Sequence, residues 1–527
     1  MHRFLPMIAV LLAPLPALRA GDVSILELPD RIQVRIDGRV FTEWRHADWV
    51  APFLYPVIGP NGENVTRHFP MKEGMPGEDP DHPWQRSIRF SHSDVNGFNF
   101  WWAPGRERAG HTAEVKLEKV EKRTSGRTGE LVLWNQWLGD GTVVLRERVR
   151  LGFAPMENKE LLMDYDITLQ AADAPVVFGD KRDGGLLVRV AATMKAEDEK
   201  GNKAEGSILN SRGDRNAEAW GQRAEWTDYS GPDAGGRTVG VALFDHPSNL
   251  RFPTHWHART YGLLTANRFG TDHFKARYDD HKTVICAPAA GHNCAACASH
   301  AGDYTLAPGQ SITLRHRFYF HHHDPLQAGV ARQYDDYASD KESTVLRMRA
   351  MFQDRRWKEL IAKYGGEEFG SWPAGFSRQA GEALQIRGQT FSFMKDGPRA
   401  EADLMAAMKL APERSEIAVL LGENYVNNLN DNPRAVDAFR KVIEMTGASK
   451  NGWQPLTATI ALARLHTDAL DFDAALDALK PYGDLHQLPL NWRVMFLRSH
   501  GHIDAAQGRE QDSLAKFREA LRLESQP

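Results

Sequence analysis

From Val23 to about Phe320, apolar and polar residues alternate in short runs. Examples are Ile32-Gln-Val-Arg-Ile36, Leu131-Val-Leu-Trp134, Thr142-Val-Val-Leu-Arg-Glu-Arg-Val-Arg-Leu151 and Ser311-Ile-Thr-Leu-Arg-His-Arg-Phe-Tyr-Phe320. A period of two turns one face of a strand to a core and the other to water, as antiparallel sheets require. Asp37-Gly38, Gly139-Asp140-Gly141, Asp183-Gly184-Gly185 and Pro308-Gly309 separate the runs with turn residues. Many strands without a βαβ rhythm predict a large β-sandwich.

After His321-His-His-Asp324 the period changes. Residues 326–365 take helical spacing, with Val345, Leu346, Met348, Met351, Phe352, Trp357, Leu360 and Ile361 as expected buried positions. Glu367 to Gly375 reads as a connector, and all-helical sequence follows. That sequence repeats: a large apolar residue recurs at Leu404, Phe439, Leu479 and Phe517, each within a segment rich in small residues. The spacing and the Leu421-Gly422-x-x-Tyr425 pattern resemble tetratricopeptide repeats, whose helix pairs must stack to cover their apolar faces. The expected class is α+β multidomain: a large antiparallel, supersandwich-like β-sandwich followed by an all-α helical-repeat domain. The expected boundaries are 1–20 leader, 21–324 sandwich, 325–375 helical linker and 376–527 repeats.

Residues 1–20 have a basic start at Arg3, an apolar stretch from Phe4 to Leu18 and a small residue, Ala20, which is the layout of a secretory signal peptide. This predicts a periplasmic or secreted protein with no membrane span once the leader is removed. A net charge of −4 over 527 residues, with no Lys/Arg run, argues against a nucleic-acid partner. Cys286, Cys294 and Cys297 lie close together beside His292 and His300. In an oxidising compartment they suggest one disulfide of undetermined pairing, with a zinc site as the rival.

Candidate chemistry concentrates in the β half. Residues 79–102 place His82, Arg86, Arg89, His92, Asp94 and Asn96 among large aromatics, a composition that suits a polar pocket with stacking walls. On a strand, His255 and His257 would share one face, suitable for a metal or for proton transfer. The expected catalytic set is His82, His92, Asp94, His255 and His257. Asn96, Trp102, Arg182, Tyr261 and Asn267 are expected to bind substrate, with Arg86 and Arg259 positioning an anionic or oxidised sugar and tryptophans stacking on its ring. Asp94, Asp183 and Glu43 are candidates for a carboxylate pair. The only cofactor suggested is a divalent metal, with His82, His92 or Asp94 completing the ligands of the His-x-His pair. The expected partners are a carbohydrate in the sandwich and a protein on the repeats. Gly-x-Ser-x-Gly, P-loop, Gly-x-Gly-x-x-Gly and His-Glu-x-x-His motifs are absent.

The motifs Thr66-Arg67 with Pro70, Asp81-His82-Pro83, Arg86, His92-x-Asp94-Val-Asn96-Gly97, Phe100-Trp101, Gly179-Asp180, Trp220-Gly221, His255-Trp-His257-x-Arg259-x-Tyr261-Gly and Ala266-Asn267 run in a fixed order. By that order, residues from about 25 to 324 resemble a bacterial domain of unknown function labelled "methane oxygenase PmoA". Trp84-Gln85 and Asn99 depart from its pattern. The resemblance implies a large sandwich like those of carbohydrate-active and mutarotase-like proteins, and the label implies a metal-dependent oxidoreductase. Three functions therefore stand: a carbohydrate-active enzyme, a non-catalytic glycan-binding and scaffolding module, and that oxidoreductase.

Overall fold

The structure is a computed structural model that describes residues 22–102, 110–198, 200–275, 302–447 and 452–525. The leader-like residues 1–20 and the three cysteines lie outside the described residues. Two compact units divide at Ser339 and Asp340.

Two eight-stranded antiparallel sheets make up the first unit. The first sheet has the order β1 (Val23–Glu27), β2 (Arg31–Ile36), β3 (Arg39–Arg45), β4 (Phe53–Val57), β5 (Ile88–His92), β11 (Gly184–Arg189), β16 (Leu263–Asn267), β15 (His255–Arg259). The second has the order β12 (Ser207–Asn210), β13 (Trp226–Pro232), β14 (Thr238–Asp245), β18 (Ser311–His322), β9 (Leu161–Ala171), β8 (Thr142–Pro155), β7 (Gly129–Gly139), β6 (Ala113–Thr124). Short strands β10 (Val176–Phe178) and β17 (Tyr304–Leu306) pair apart from both.

The alternation predicted from the sequence is what burial shows. Along β9, buried and half-buried residues alternate over the whole strand. Asp37-Gly38 and Asp140-Gly141 have φ of 51° and 76°, and 49° and 76°, so each forms the left-handed two-residue turn that suits a hairpin. Inward residues of both sheets share one core, where Phe41 meets Phe320 at 5.6 Å and Phe90 meets Trp137 at 5.9 Å across the sandwich.

Three of the buried polar clusters in this unit illustrate how its interior polar groups are paired. Glu147 on β8 accepts hydrogen bonds from Asn135 Nδ2 (2.9 Å) and Trp137 Nε1 (3.2 Å). Burial pushes its carboxyl up to about 7, more than those bonds pull it down. Arg268 bonds Asp245, which also accepts from Asn249 (2.6 Å) and from the Thr254 amide (2.8 Å). His321 places Nε2 2.7 Å from Asp228 and Nδ1 3.0 Å from the His322 carbonyl. Burial opposes its charge, but Asp228 outweighs it and holds the imidazole above its ordinary value. Within the His321-His322-His323 run, His321 is fully buried. The outer face of the second sheet is covered by α2 (Val330–Tyr337), whose Val330 and Tyr334 pack on Trp226, Phe244 and Tyr319.

In the second unit, α3 (Lys341–Gln353) and α4 (Trp357–Tyr364) precede four helical hairpins. These are α5 (Ser377–Phe393) with α6 (Gly397–Leu410), α7 (Ser415–Asn424) with α8 (Asn432–Thr446), α9 (Trp453–Asp468) with α10 (Phe472–Leu479), and α11 (Leu490–Ala506) with α12 (Glu510–Glu524). Val345, Met348, Leu360 and Tyr364 join the core of the hairpins, so residues 341–375 pack into this unit. Asp396, Asp431 and Asp471 begin the second helix of three hairpins by accepting from the amide three residues on. Three of the four recurring large residues seat on the hairpin partner at a glycine, where that helix has no side chain. A Cβ at Gly422 would lie 2.6 Å from Phe439, one at Gly388 2.9 Å from Leu404, and one at Gly501 3.1 Å from Phe517.

Candidate functional site

Period-two alternation also builds the outer face of the first sheet. Where Ile88, Phe90, Leu186, Val188, Leu264, Ala266, Trp256 and Ala258 enter the core, their neighbours Arg89, Leu187, Arg189, Leu263, Thr265, His257 and Arg259 face the other way. Register places Leu187 beside Arg89 and Thr265, and His257 beside Thr265. Leu263 lies beside both Arg189 and Arg259.

A loop held from below borders this floor. The buried Arg67 donates from Nη2 to the carbonyls of Asp79 and Asp81 (both 2.6 Å) and to Asp81 Oδ1 (2.5 Å), and from Nη1 to the carbonyl of His82 (3.1 Å). Arg189 reaches the same loop, bonding Gln85 Oε1 at 2.5 Å and Asp81 Oδ1 at 3.3 Å. Burial works to raise the Asp81 carboxyl, but His82, Arg189 and Arg67 together hold it well below the usual carboxylate range.

Asp81 in turn orients His82, whose Nδ1 lies 2.6 Å from Asp81 Oδ2. With Nδ1–H donating to the carboxylate, the lone pair is on Nε2, which bonds no described residue. The ring stacks on Tyr261 at 5.5 Å and 12°, meets the edge of Trp84 at 5.3 Å, and remains 39% exposed. His82 holds a left-handed φ of 39°, an unfavourable geometry for a residue other than glycine and one that recurs at functional positions. Tyr261 also carries the guanidiniums of Arg189 at 4.3 Å and Arg259 at 5.5 Å.

His257 is 3% exposed, and its Nδ1 is buried with no hydrogen bond, 3.8 Å from Asp183 Oδ1. The Oγ1 of its neighbour Thr265 is likewise buried and unbonded. Burial drives the imidazole well below its ordinary value, reinforced by Arg259, Arg182, His273 and His82, so His257 is neutral at pH 7. Asp180 holds the start of α1 (Thr271–Lys275) through the amides of Asp272 (2.8 Å) and His273 (3.3 Å). Asn267 binds the carbonyls of Lys181 (2.9 Å) and Arg182 (2.7 Å).

The structure thus gathers His82, His257, Arg182, Arg259 and Tyr261 at one outer face, with Trp102 in the aromatic cluster of Trp84, Trp101 and Tyr261. The other expected residues do different work. His92 is fully buried beside the stacked pair Phe178 and Phe269; its Nε2–H donates to the Gly179 carbonyl at 2.8 Å, and burial pushes it down to about 4. Asp94 closes a turn onto the Gly97 amide (3.1 Å), and Asn96 brackets residues 175–177. His255 bonds the Gly221 carbonyl at 2.8 Å and stacks on Phe274. Asn267 shapes the 181–182 loop. Arg86 lies over Trp49 at 4.5 Å. Glu43 is engaged by Gln33 (2.7 Å) and Arg31 (3.1 Å), so it is not paired with Asp94 or Asp183. Among the described residues, no three His, Cys, Asp or Glu side chains come together to hold a metal ion. Sequence reasoning left Asp81, Gln85 and Arg189 out of the site. Asp81 could have been found as the residue beside His82, whereas Arg189 ends a buried strand without any distinguishing pattern.

Residues 31–335 match a family described as of unknown function, DUF6807. The chain belongs to the DUF6807 family. The match carries no methane-oxygenase description. No curated protein matches the chain. Among solved structures, "MamA MSR-1 C2" is similar at 17% identity and a TM-score of 0.28, covering 35% of this chain and 96% of that one. YrrB, titled a TPR protein with an unusual peptide-binding site, is similar at 12% identity and a TM-score of 0.27, covering 37% and 91%. The DUF6807 region coincides with the unit that carries the outer-face site, and its helical extension follows it in sequence.

Proposed function

We propose that the DUF6807 unit is carbohydrate-active: it binds a sugar on the outer face of its first sheet and moves a proton at His82. The observation that carries this reading is the half-exposed imidazole, with one nitrogen bonded to Asp81 and its ring stacked on Tyr261. An imidazole oriented by a carboxylate that is itself anchored by two arginines is the arrangement of a general acid or base. Trp102, half-buried in the cluster it forms with Trp84, Trp101 and Tyr261, supplies an apolar face on which a pyranose ring packs. The reading includes export to the periplasm or beyond, on the layout of residues 1–20, and contact of the helical hairpins with a protein partner, as stacked helical repeats offer extended surfaces.

The test is a panel of neutral and acidic oligosaccharides assayed for binding by calorimetry and for turnover by product analysis. Wild type, Trp102→Ala and His82→Asn are compared; asparagine is chosen because it tolerates the left-handed backbone. The expected result is binding lost in Trp102→Ala, and turnover lost with binding kept in His82→Asn. Binding without turnover in the wild type would assign a glycan-binding module instead, and no binding by any saccharide would overturn the reading.

A further inference from the structure

Buried arginines in the first unit are compensated, with the exception of one pair among the described residues. Arg67 and Arg189 share Asp81, and Arg268 has Asp245. Arg86 and Arg89 have no carboxylate partner among the described residues. Arg86 donates to the Pro83 carbonyl at 3.3 Å, and Arg89 donates to the carbonyls of Phe100 and Trp101. Arg89 is 1% exposed, and its Nε is buried without a hydrogen bond. Asp48, the acid whose charge acts on Arg86, is itself bonded to Arg45.

The two guanidiniums share one ring: Arg86 lies 4.5 Å and Arg89 4.6 Å from the centroid of Trp49. Burial lowers their proton affinities, to about 10 for Arg86 and about 9 for Arg89, and the neighbouring Arg86 contributes to the fall at Arg89. Both remain charged at neutral pH. Cation–π contact and carbonyl bonds soften the penalty of two desolvated like charges but leave their charge unneutralised. Trp49 belongs to the aromatic cluster that also contains Trp84, Trp101, Trp102 and Tyr261, so this cation pair and His82 border one surface.

Resting on the reading above, we propose that the sugar bound at the outer face carries a carboxylate, as a uronic acid residue does, and that this group is seated by Arg86 with Arg89 behind it. A planar carboxylate matches the guanidinium fork and supplies the missing negative charge. The uncharged faces of the ring would then lie along the aromatic cluster toward His82.

Calorimetry on the full chain with trigalacturonate and with galactotriose tests this. The wild type is expected to bind the uronate more tightly, by about tenfold or more. Arg86→Gln is expected to lower the affinity for trigalacturonate by about tenfold or more, so that the preference for the uronate is lost. As a check that needs no variant, trigalacturonate should raise the wild-type melting temperature more than galactotriose does. Because Arg86 has no acid partner, Arg86→Gln should also leave the ligand-free protein no less stable. Equal binding of both sugars by the wild type would overturn this inference and leave the carbohydrate reading standing. A preference for uronate that survives Arg86→Gln would overturn the seat assigned to it. Failure to bind either sugar would count against both.

Discussion

Replacing Glu147 by glutamine tests whether the sandwich interior is as dry as its packing implies. In the folded chain, burial raises the carboxyl from an ordinary 4.5 to about 7, so the folded protein favours the protonated acid. Stability from this group is fully present below pH 4.5 and is lost as pH rises through about 7. At about 1.4 kcal/mol per pH unit, ionisation should cost the folded unit roughly 3 kcal/mol once the pH is above 8. Glutamine keeps an oxygen for Asn135 and Trp137, and its amide can donate to Asn135 Oδ1, which is buried without a partner. The assay is urea unfolding of wild type and Glu147→Gln across pH 5 to 9, followed by tryptophan fluorescence. The two should be closest at pH 5, separate as the pH rises through about 7, and differ by a constant amount above that, with the variant the more stable. Parallel pH profiles would refute the argument, because they would mean that the carboxylate ionises in the folded state at no extra cost.

Four further outcomes follow from the same structure. His321→Gln should flatten the part of the pH profile that remains in Glu147→Gln: the wild-type pair with Asp228 stabilises below pH 6.5 and fades as pH rises through the elevated folded value, which a titration of unfolding midpoints would resolve. Arg268→Met should cost about 3–5 kcal/mol in urea unfolding, since it leaves Asp245 buried without its cation, and the double change Arg268→Met with Asp245→Leu should recover much of that loss. Gly422→Val should destabilise the helical unit by about 1–3 kcal/mol through collision with Phe439, seen as loss of helical circular dichroism at lower temperature. Asp81→Asn should abolish any proton transfer at His82 while leaving sugar binding within a few-fold, because it removes the carboxylate that fixes the imidazole's tautomer, as a pH–rate profile would show.

How far the sequence revealed this protein can be judged from single strands. Hairpins such as β2–β3 and β7–β8 were legible because alternation and an Asp-Gly turn act together over a few residues. The same parity already separates the histidines: His92 falls in phase with Ile88 and Phe90, which face the core, while Arg89 falls on the outer side. Reading residues 79–102 as one pocket overlooked that phase. The convergence of His82, Tyr261, Arg259 and His257 was anticipated, but the agent that aims His82 was not. Arg67 and Arg189 reach Asp81 from 14 and 108 residues away. No local pattern encodes such a contact, and its cause is sheet order, which sequence spacing does not contain. In the helical part, intervals that vary between hairpins did not hide the repeat, because three of the four hairpins keep a glycine-to-large-residue contact.

The way Arg67 grips its loop bears on which changes that loop can tolerate. Three of its bonds end on main-chain oxygens of residues 79, 81 and 82. Every amino acid carries that atom, so mutation of the intervening side chains leaves the scaffold of the loop in place. The side chains displayed on this loop can therefore be exchanged while the mount that Arg67 provides stays in place.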